Sequence, residues 1–205
     1  IDFSRPPLDP DPSSPPEGKG GWRPFQIAFI LSCVESVAKQ EHPDRETVDL
    51  IWFPTGGGKT EAYLGLSAFS IFLDRLEHSG DTGVHVVMRY TLRLLSAQQF
   101  ERAASLVCAM EHLRKHRRQD LGPTPISIGL WVGTGLTPNS RKNAKTDLDN
   151  AKKKGDSAPP FALNRCPWCA ASFGPVNVGG QPVTGKTDRF PGYQKRGKSV
   201  VLVCP

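Results

Sequence analysis

The chain has 205 residues, with 26 Lys and Arg against 20 Asp and Glu, a net charge of +6 and a mean hydropathy of −0.37. This length suffices for one α/β domain with an appendage and is too short for two full domains with long linkers. The basic balance favours an anionic partner, and no apolar run reaches the roughly 18 residues that a membrane-spanning helix needs.

Residues 1–21 are rich in Pro, Ser, Asp and Gly. Such a segment has too little apolar surface to fold alone, so we predict a linker. The pattern changes at Trp22, where the sequence reads "WRPFQIAFILSCVESVAKQ". Pro24 suits a first helical turn and the apolar residues behind it recur at helical spacing, which predicts a helix of about four turns.

Three apolar runs of strand length follow at 48–53 ("VDLIWF"), 84–90 ("VHVVMRY") and 126–132 ("ISIGLWV"). They alternate with helical patterns at 59–78 and 91–118. This order predicts an α/β fold in which helices flank a parallel sheet. The charged stretch that follows the third run predicts a surface helix capped by Asn139 or Ser140.

A glycine-rich loop, "PTGGGKT", lies between the first apolar run and the next helix. Glycines at a helix N-terminus expose backbone N–H groups, which favour phosphate. In the Walker A pattern, Lys59 reaches the β and γ phosphates and the Thr60 hydroxyl binds Mg²⁺, so we expect ATP and Mg²⁺ as cofactors and these two residues in catalysis. The alternative is a tight turn followed by a chance Lys-Thr. The nucleotide-binding candidates around the loop are Thr55, Gly56, Gly57, Gly58, Lys59, Thr60 and Glu61.

The loop departs from the general Walker A pattern, because Phe53 stands where the first glycine is usual. In this form it resembles motif I of superfamily 2 helicases and translocases. The upstream "RPFQ" is similar to an element of these proteins whose glutamine reads the adenine edge, which implies that role for Gln26. An ordinary solvent-facing helix residue is the alternative for Gln26.

Two further segments resemble nucleic-acid contacts of the same superfamily. "RYTLRLLSAQQF" is similar to motif Ia, which implies backbone contacts from Thr91, Arg93 and Gln98, and the guanidinium of Arg93 suits a phosphate. "GLWVGTGLTP" is similar to a later glycine-containing contact, and its candidates are Gly133, Gly135 and Thr137. A solvated helix arginine and a plain glycine turn are the respective alternatives.

Together these segments, from Trp22 to Cys169, resemble the helicase-like subunits of DISARM bacterial antiphage systems. The resemblance implies a RecA-like first motor lobe over 22–156, belonging to an ATP-driven DNA helicase or translocase. It also implies partner subunits, among them a phospholipase-D-like subunit. Whether single- or double-stranded DNA is the substrate stays open.

Hydrolysis in this superfamily needs an acidic motif II, and the sequence contains no Asp-Glu pair. We therefore expect motif II and the second lobe to lie beyond Pro205, and this segment alone to bind ATP without turning it over. One competing function is a nucleotide-gated DNA-binding scaffold that recruits partners without processive hydrolysis. Another is an unrelated P-loop enzyme such as a kinase.

Residues 157–205 form a predicted Cys-containing insertion. Cys166 and Cys169 have the C-x-x-C spacing of half a structural zinc site, and Cys204 is a candidate third ligand, with a fourth expected just past Pro205. A redox dithiol and unliganded thiols are the alternatives.

The five cysteines do not form a secreted disulfide framework and no signal peptide is visible, so we expect a cytoplasmic protein. The basic runs "LRKHRR" and "AKKKG" fit either a nucleic-acid backbone or solvated helix faces.

Overall fold

A computed structural model describes residues 21–54, 56–78, 83–91, 93–133, 135–154, 161–178, 181–182 and 189–205. The predicted linker at 1–21 therefore lies outside the described residues, except for Gly21. The chain divides into two compact units. The loop unit contains the described parts of 21–88 and 106–127, and the cysteine unit contains those of 89–105 and 128–205.

The loop unit is helical. Its elements are α1 (Pro24–Ala38), a short 3-10 helix (Pro43–Glu46), α2 (Lys59–Glu77), the second part of α3 (Arg93–His116) and α4 (Arg118–Leu121). Pro24 opens α1 because its fixed φ suits the first helical position. The segment before α1 lies so close to α2 that a Cβ on Gly65 would meet the Trp22 ring at 2.5 Å. A glycine is needed there for this approach.

A buried ion pair joins α3 to the chain that follows α4. The Arg114 guanidinium donates to both carboxylate oxygens of Glu111 at 2.7 Å and to the carbonyl of Gly122 at 2.9 Å. The same carboxylate accepts from the backbone N–H of Ile126 at 2.9 Å. These bonds fix the chain that leaves α4 against the end of α3.

The cysteine unit contains the first part of α3, α5 (Arg141–Lys154) and four short strands, β1 (Asn177–Val178), β2 (Gln181–Pro182), β3 (Tyr193–Arg196) and β4 (Ser199–Leu202). Its core is aromatic: Phe173, Phe190 and Tyr193 are all buried. The Tyr193 hydroxyl donates to the carbonyl of Leu163, and burial raises the pKa of this tyrosine. Helix α5 lies against the β3–β4 hairpin, where the Lys145 ammonium donates to the carbonyl of Gly197 at 2.5 Å.

The predicted helices are confirmed at α1, α2, α3 and α5. The cap of α5 is Ser140, whose hydroxyl accepts from the N–H of Asn143 at 3.1 Å. Helices depend on bonds between residues three or four apart, so the local pattern carries most of the information that specifies them.

The predicted RecA-like parallel sheet is wrong. The segments 48–53, 84–90 and 126–132 pair with no strand in the described residues, where the only sheets are the antiparallel pairs β1–β2 and β3–β4. Many of their apolar side chains are exposed rather than buried in a sheet: Trp52 is 89% exposed, Val84 83% and Trp131 100%, although Ile126 is buried. An apolar run predicts an extended backbone, but a parallel sheet also needs pairing between distant segments, which the run does not encode.

Candidate functional site

The glycine loop adopts the conformation that only glycine takes without cost. Gly56 has a φ of +80° and Gly58 a φ of +91°, both in the left-handed region. Between them, the N–H of Gly57 donates to the carbonyl of Pro54 at 3.2 Å. Gly58 is the N-cap of α2, which begins at Lys59. The loop therefore leads directly into the exposed donors of a helix N-terminus.

Two side chains at the start of α1 hold the loop carbonyls. Arg23 donates to the carbonyl of Gly57 at 2.8 Å, and the Gln26 Nε2 donates to the carbonyl of Gly58 at 2.7 Å. In a planar trans peptide the C=O and N–H point in opposite directions. These two bonds therefore direct the following N–H groups, those of Gly58 and Lys59, away from Arg23 and Gln26.

Close packing reinforces the requirement for glycine. A Cβ on Gly57 would meet the Phe53 ring at 2.6 Å, and one on Gly58 would meet the Gln26 Nε2 at 2.8 Å. The Phe53 ring in turn stacks on Phe25, with centroids 3.9 Å apart. Phe53, the departure from the Walker A pattern, thus lies against the loop and joins it to α1.

The Lys59 side chain, in the first turn of α2, already lies on the loop. The Lys59 ammonium donates to the carbonyl of Phe53 at 2.5 Å, and the Thr60 hydroxyl accepts from the Tyr63 hydroxyl at 3.0 Å. Glu61 is half-buried beside Gly58, and Thr55 lies outside the described residues. Amide donors, an ammonium and a hydroxyl on one loop fit a phosphate group with Mg²⁺.

Gln26 is buried, at 4% exposure, and both groups of its amide bond the backbone. Its Nε2 is on Gly58, and its Oε1 accepts from the N–H of Arg23 at 2.8 Å. The predicted adenine contact stays a prediction. Sequence reasoning missed the role of Arg23 in the loop, although its spacing of three residues from Gln26 places both side chains on one side of a helical turn.

The predicted DNA contacts all belong to the cysteine unit. Thr91 and Gln98 are exposed, and Arg93 begins α3 with a side chain outside the described structure. Gly135 and Leu136 lie in a turn, and the N–H of Leu136 donates to the carbonyl of Gly133 at 3.2 Å. Gly135 is exposed and Thr137 half-buried. DNA binding by these residues stays a prediction.

The predicted zinc ligands lie together. The sulfurs of Cys166, Cys169 and Cys204 are all within 4.8 Å of one another, and those of Cys169 and Cys204 are 3.4 Å apart. Burial, followed by the hydrogen bond with Cys169, raises the pKa of the Cys204 thiol to about 12. The remaining two cysteines, Cys33 and Cys108, are buried in the loop unit.

No protein-family model and no solved structure matches the chain. No helix in the described ranges combines the length and apolar character required to cross a membrane. Among curated proteins, the chain is 46% identical over 159 residues to DISARM protein DrmA of Bacillus paralicheniformis. The match covers 72% of this chain and 14% of that relative's own length. The expected resemblance to a DISARM subunit is therefore confirmed over the matched region, where this chain is similar to DISARM protein DrmA.

Proposed function

We propose that the chain supplies the ATP-binding loop of an antiphage defence protein, a DNA helicase or translocase that works in the cytoplasm with other DISARM-type subunits. Similarity to a protein named as a DISARM component supports the defence role. The observation that carries the nucleotide role is the loop from Gly56 to Thr60, whose carbonyls at Gly57 and Gly58 are bonded by Arg23 and Gln26.

Each group on the loop has a distinct task in this proposal. The N–H groups of Gly58 and Lys59 and the first turn of α2 bind the phosphates. The Lys59 ammonium leaves the carbonyl of Phe53 and binds a phosphate oxygen, while the Thr60 hydroxyl holds Mg²⁺. When bound, ATP supplies the free energy of hydrolysis that drives movement on DNA. Because Arg23 and Gln26 hold the loop in advance, little conformational entropy is lost on binding.

The proposed partners are DNA and other defence subunits, including a phospholipase-D-like one. The net charge of +6 favours the phosphate backbone, which supplies most of the sequence-independent affinity for DNA. Arg93, Thr91 and Gln98 at the start of α3 and the turn at 133–137 are the proposed contacts. Exposure of Thr91 and Gln98 leaves them accessible to a strand.

The loop also supports a second function, because the groups that would bind a nucleotide do not themselves require its hydrolysis. Under this reading the chain clamps DNA when nucleotide is bound and recruits partners without processive hydrolysis. The nucleotide loop has the same role in both functions. They differ in turnover, which makes them separable by experiment.

The test is ATP hydrolysis by the full-length protein with no DNA, single-stranded DNA or double-stranded DNA, comparing the wild type with Lys59→Ala. The matched control is Lys39→Ala, which removes an exposed ammonium paired with Glu35 on α1. The motor proposal expects DNA-stimulated turnover that Lys59→Ala abolishes and Lys39→Ala preserves. Nucleotide binding without turnover, under every DNA condition, would contradict the motor and support the gated scaffold.

A further inference from the structure

The segment around Cys166 and Cys169 folds into a tight turn that places both sulfurs in one cluster. The N–H of Ala170 donates to the carbonyl of Cys166 at 2.9 Å, and the N–H of Cys166 donates to the carbonyl of Ala171 at 2.9 Å. Ala170 has a φ of +58°, a left-handed conformation that is uncommon for a residue with a Cβ. The backbone bonds of the turn thus fix the positions of the first two thiols.

The third thiol comes from the β3–β4 hairpin. Just before Cys204, the N–H of Val203 donates to the carbonyl of Gly192 at 2.9 Å, and the N–H of Gly192 donates to the carbonyl of Phe173 at 3.1 Å. A Cβ on Gly192 would meet the Phe173 Cβ at 2.4 Å, so the two segments are in close contact. A continuous set of backbone bonds therefore links the hairpin to the chain that follows the cysteine turn.

The distances between the sulfurs exclude a formed disulfide and are compatible with a shared metal ion. A disulfide requires a separation of about 2.05 Å, and the 3.4 Å between Cys169 and Cys204 is far longer. In a tetrahedral site with Zn–S bonds of about 2.3 Å, the sulfurs lie about 3.8 Å apart. The 3.4 Å between Cys169 and Cys204, and the 4.8 Å within which all three sulfurs lie, are compatible with ligands of one ion.

From this arrangement we propose that the thiolates of Cys166, Cys169 and Cys204 bind a structural zinc ion. Structural zinc usually has four ligands, and these thiolates supply three of them. Cys166 is 1% exposed and Trp168, between the two cysteines of the turn, is buried, so the site is closed on this side by protein. Closed sites with sulfur ligands are typical of structural rather than catalytic zinc.

The zinc ion would stabilise a unit with a small core. The cysteine unit has only short strands, and its described core centres on Phe173, Phe190 and Tyr193. In small units a metal supplies folding free energy that limited apolar burial does not. The ion would join the turn at Cys166 to the hairpin end at Cys204, which are 38 residues apart in the chain.

The test measures zinc content after purification without chelator, together with free thiols before and after denaturation. We expect about one zinc per chain in the wild type and loss of zinc in Cys166→Ser and Cys204→Ser. The matched control is Cys108→Ser, a buried cysteine outside the cluster, which should retain zinc. Cys204→His keeps a metal-ligating side chain and should also retain zinc.

If the serine variants fail to fold, their loss of zinc does not identify the ligands. Co²⁺ bound to the wild type then tests the ligands directly, because thiolate ligands give a sulfur-to-cobalt charge-transfer absorption. Absence of that absorption, or zinc retained by both serine variants, would overturn the proposal. The proposal would also be overturned if the wild type, purified without chelator, contained no metal and a disulfide among the three cysteines. Zinc content, thiol counts and Co²⁺ absorption do not measure nucleotide binding, so failure of this proposal is distinguishable from failure of the proposed nucleotide loop.

Discussion

At the scale of single residues, Gly58 shows most clearly why the loop needs its sequence. Its φ of +91° and the 2.8 Å contact that a Cβ would make with Gln26 both exclude a larger residue. Gly56 has a φ of +80° but open space where a Cβ would lie. Gly21 has open space and no positive φ. Gly58 has both a positive φ and a steric contact, Gly56 has only the positive φ, and Gly21 has neither. Comparing the three separates the cost of backbone strain from the cost of steric contact.

Alanine substitution at these glycines should therefore lower stability in the order Gly58, Gly56, Gly21. Gly56→Ala should lower the free energy of unfolding by about 1–2 kcal/mol, the cost of a left-handed conformation with a Cβ. Gly58→Ala should cost more, because Gln26 must also move. Gly21→Ala should have almost no effect. Urea unfolding followed by tryptophan fluorescence measures the series, and equal values for all three would contradict the loop conformation.

The Glu111–Arg114 pair predicts a dependence of stability on pH. The bond from Arg114 holds the pKa of the Glu111 carboxyl below its ordinary value. A carboxyl with a lowered folded pKa stabilises the protein above its unfolded pKa of about 4.3, and this contribution is lost as pH falls through the folded value. Acid titration of the unfolding free energy should show this loss below about pH 4.3.

Glu111→Gln removes the titrating group and leaves the Arg114 charge buried. We expect it to lower stability by about 3–5 kcal/mol at neutral pH and to flatten the acid limb of the stability curve. Glu41→Gln, at an exposed position, is the control and should change neither. An acid limb as steep in Glu111→Gln as in the wild type would assign the pH dependence to other groups.

At the scale of elements, the start of α1 acts on the loop before α2. Gln26→Ala should remove the bond to the carbonyl of Gly58 and cost about 1–3 kcal/mol, since it leaves a partly buried carbonyl unpaired. Hydrogen exchange of the amides at 56–60 should become faster. Glu35→Ala, on an exposed face of the same helix, should leave this exchange unchanged. Unchanged exchange in Gln26→Ala would show that the amide does not hold the loop.

The sequence predicted the elements unequally, and the reason is physical. Helix α1 could be located from Pro24 and from apolar spacing, and α2 from the glycines before Lys59, because those signals are local. The apolar run 48–53 has the same residue types as a buried strand, yet Val48 and Trp52 are 91% and 89% exposed. Burial and pairing depend on distant segments, so the run alone does not determine them.

In the candidate sites, too, the sequence predicts contacts between neighbouring residues more readily than contacts between distant ones. The C-x-x-C spacing predicted that Cys166 and Cys169 would lie together, because a four-residue turn is local, and Cys204, named with them as a candidate ligand, lies in the same cluster. The bonds from Arg23 and Gln26 to Gly57 and Gly58 join residues more than 30 positions apart. Spacing in the sequence carries no information on such a contact, so only the structure shows that α1 holds the loop.

At the scale of the whole molecule, the net charge of +6 predicts that DNA binding is sensitive to salt. Affinity for double-stranded DNA should fall as salt rises, with a slope set by the number of neutralised phosphates. Arg93→Ala should reduce that slope by about one phosphate contact. Lys39→Ala, which removes a cation already paired with Glu35, should leave it unchanged. Identical slopes in all three proteins would exclude Arg93 from the DNA contact.

Binding of a nucleoside triphosphate by the proposed loop at Gly56–Thr60 is measured most directly as ATP affinity, by calorimetry in the presence of Mg²⁺. Loss of a hydrogen bond to a charged group costs about 1.5–3 kcal/mol, so Lys59→Ala should bind ATP roughly 10- to 150-fold more weakly than the wild type. Lys39→Ala should bind as the wild type does. Equal affinity in both variants, or no binding by the wild type, would contradict ATP binding at this loop.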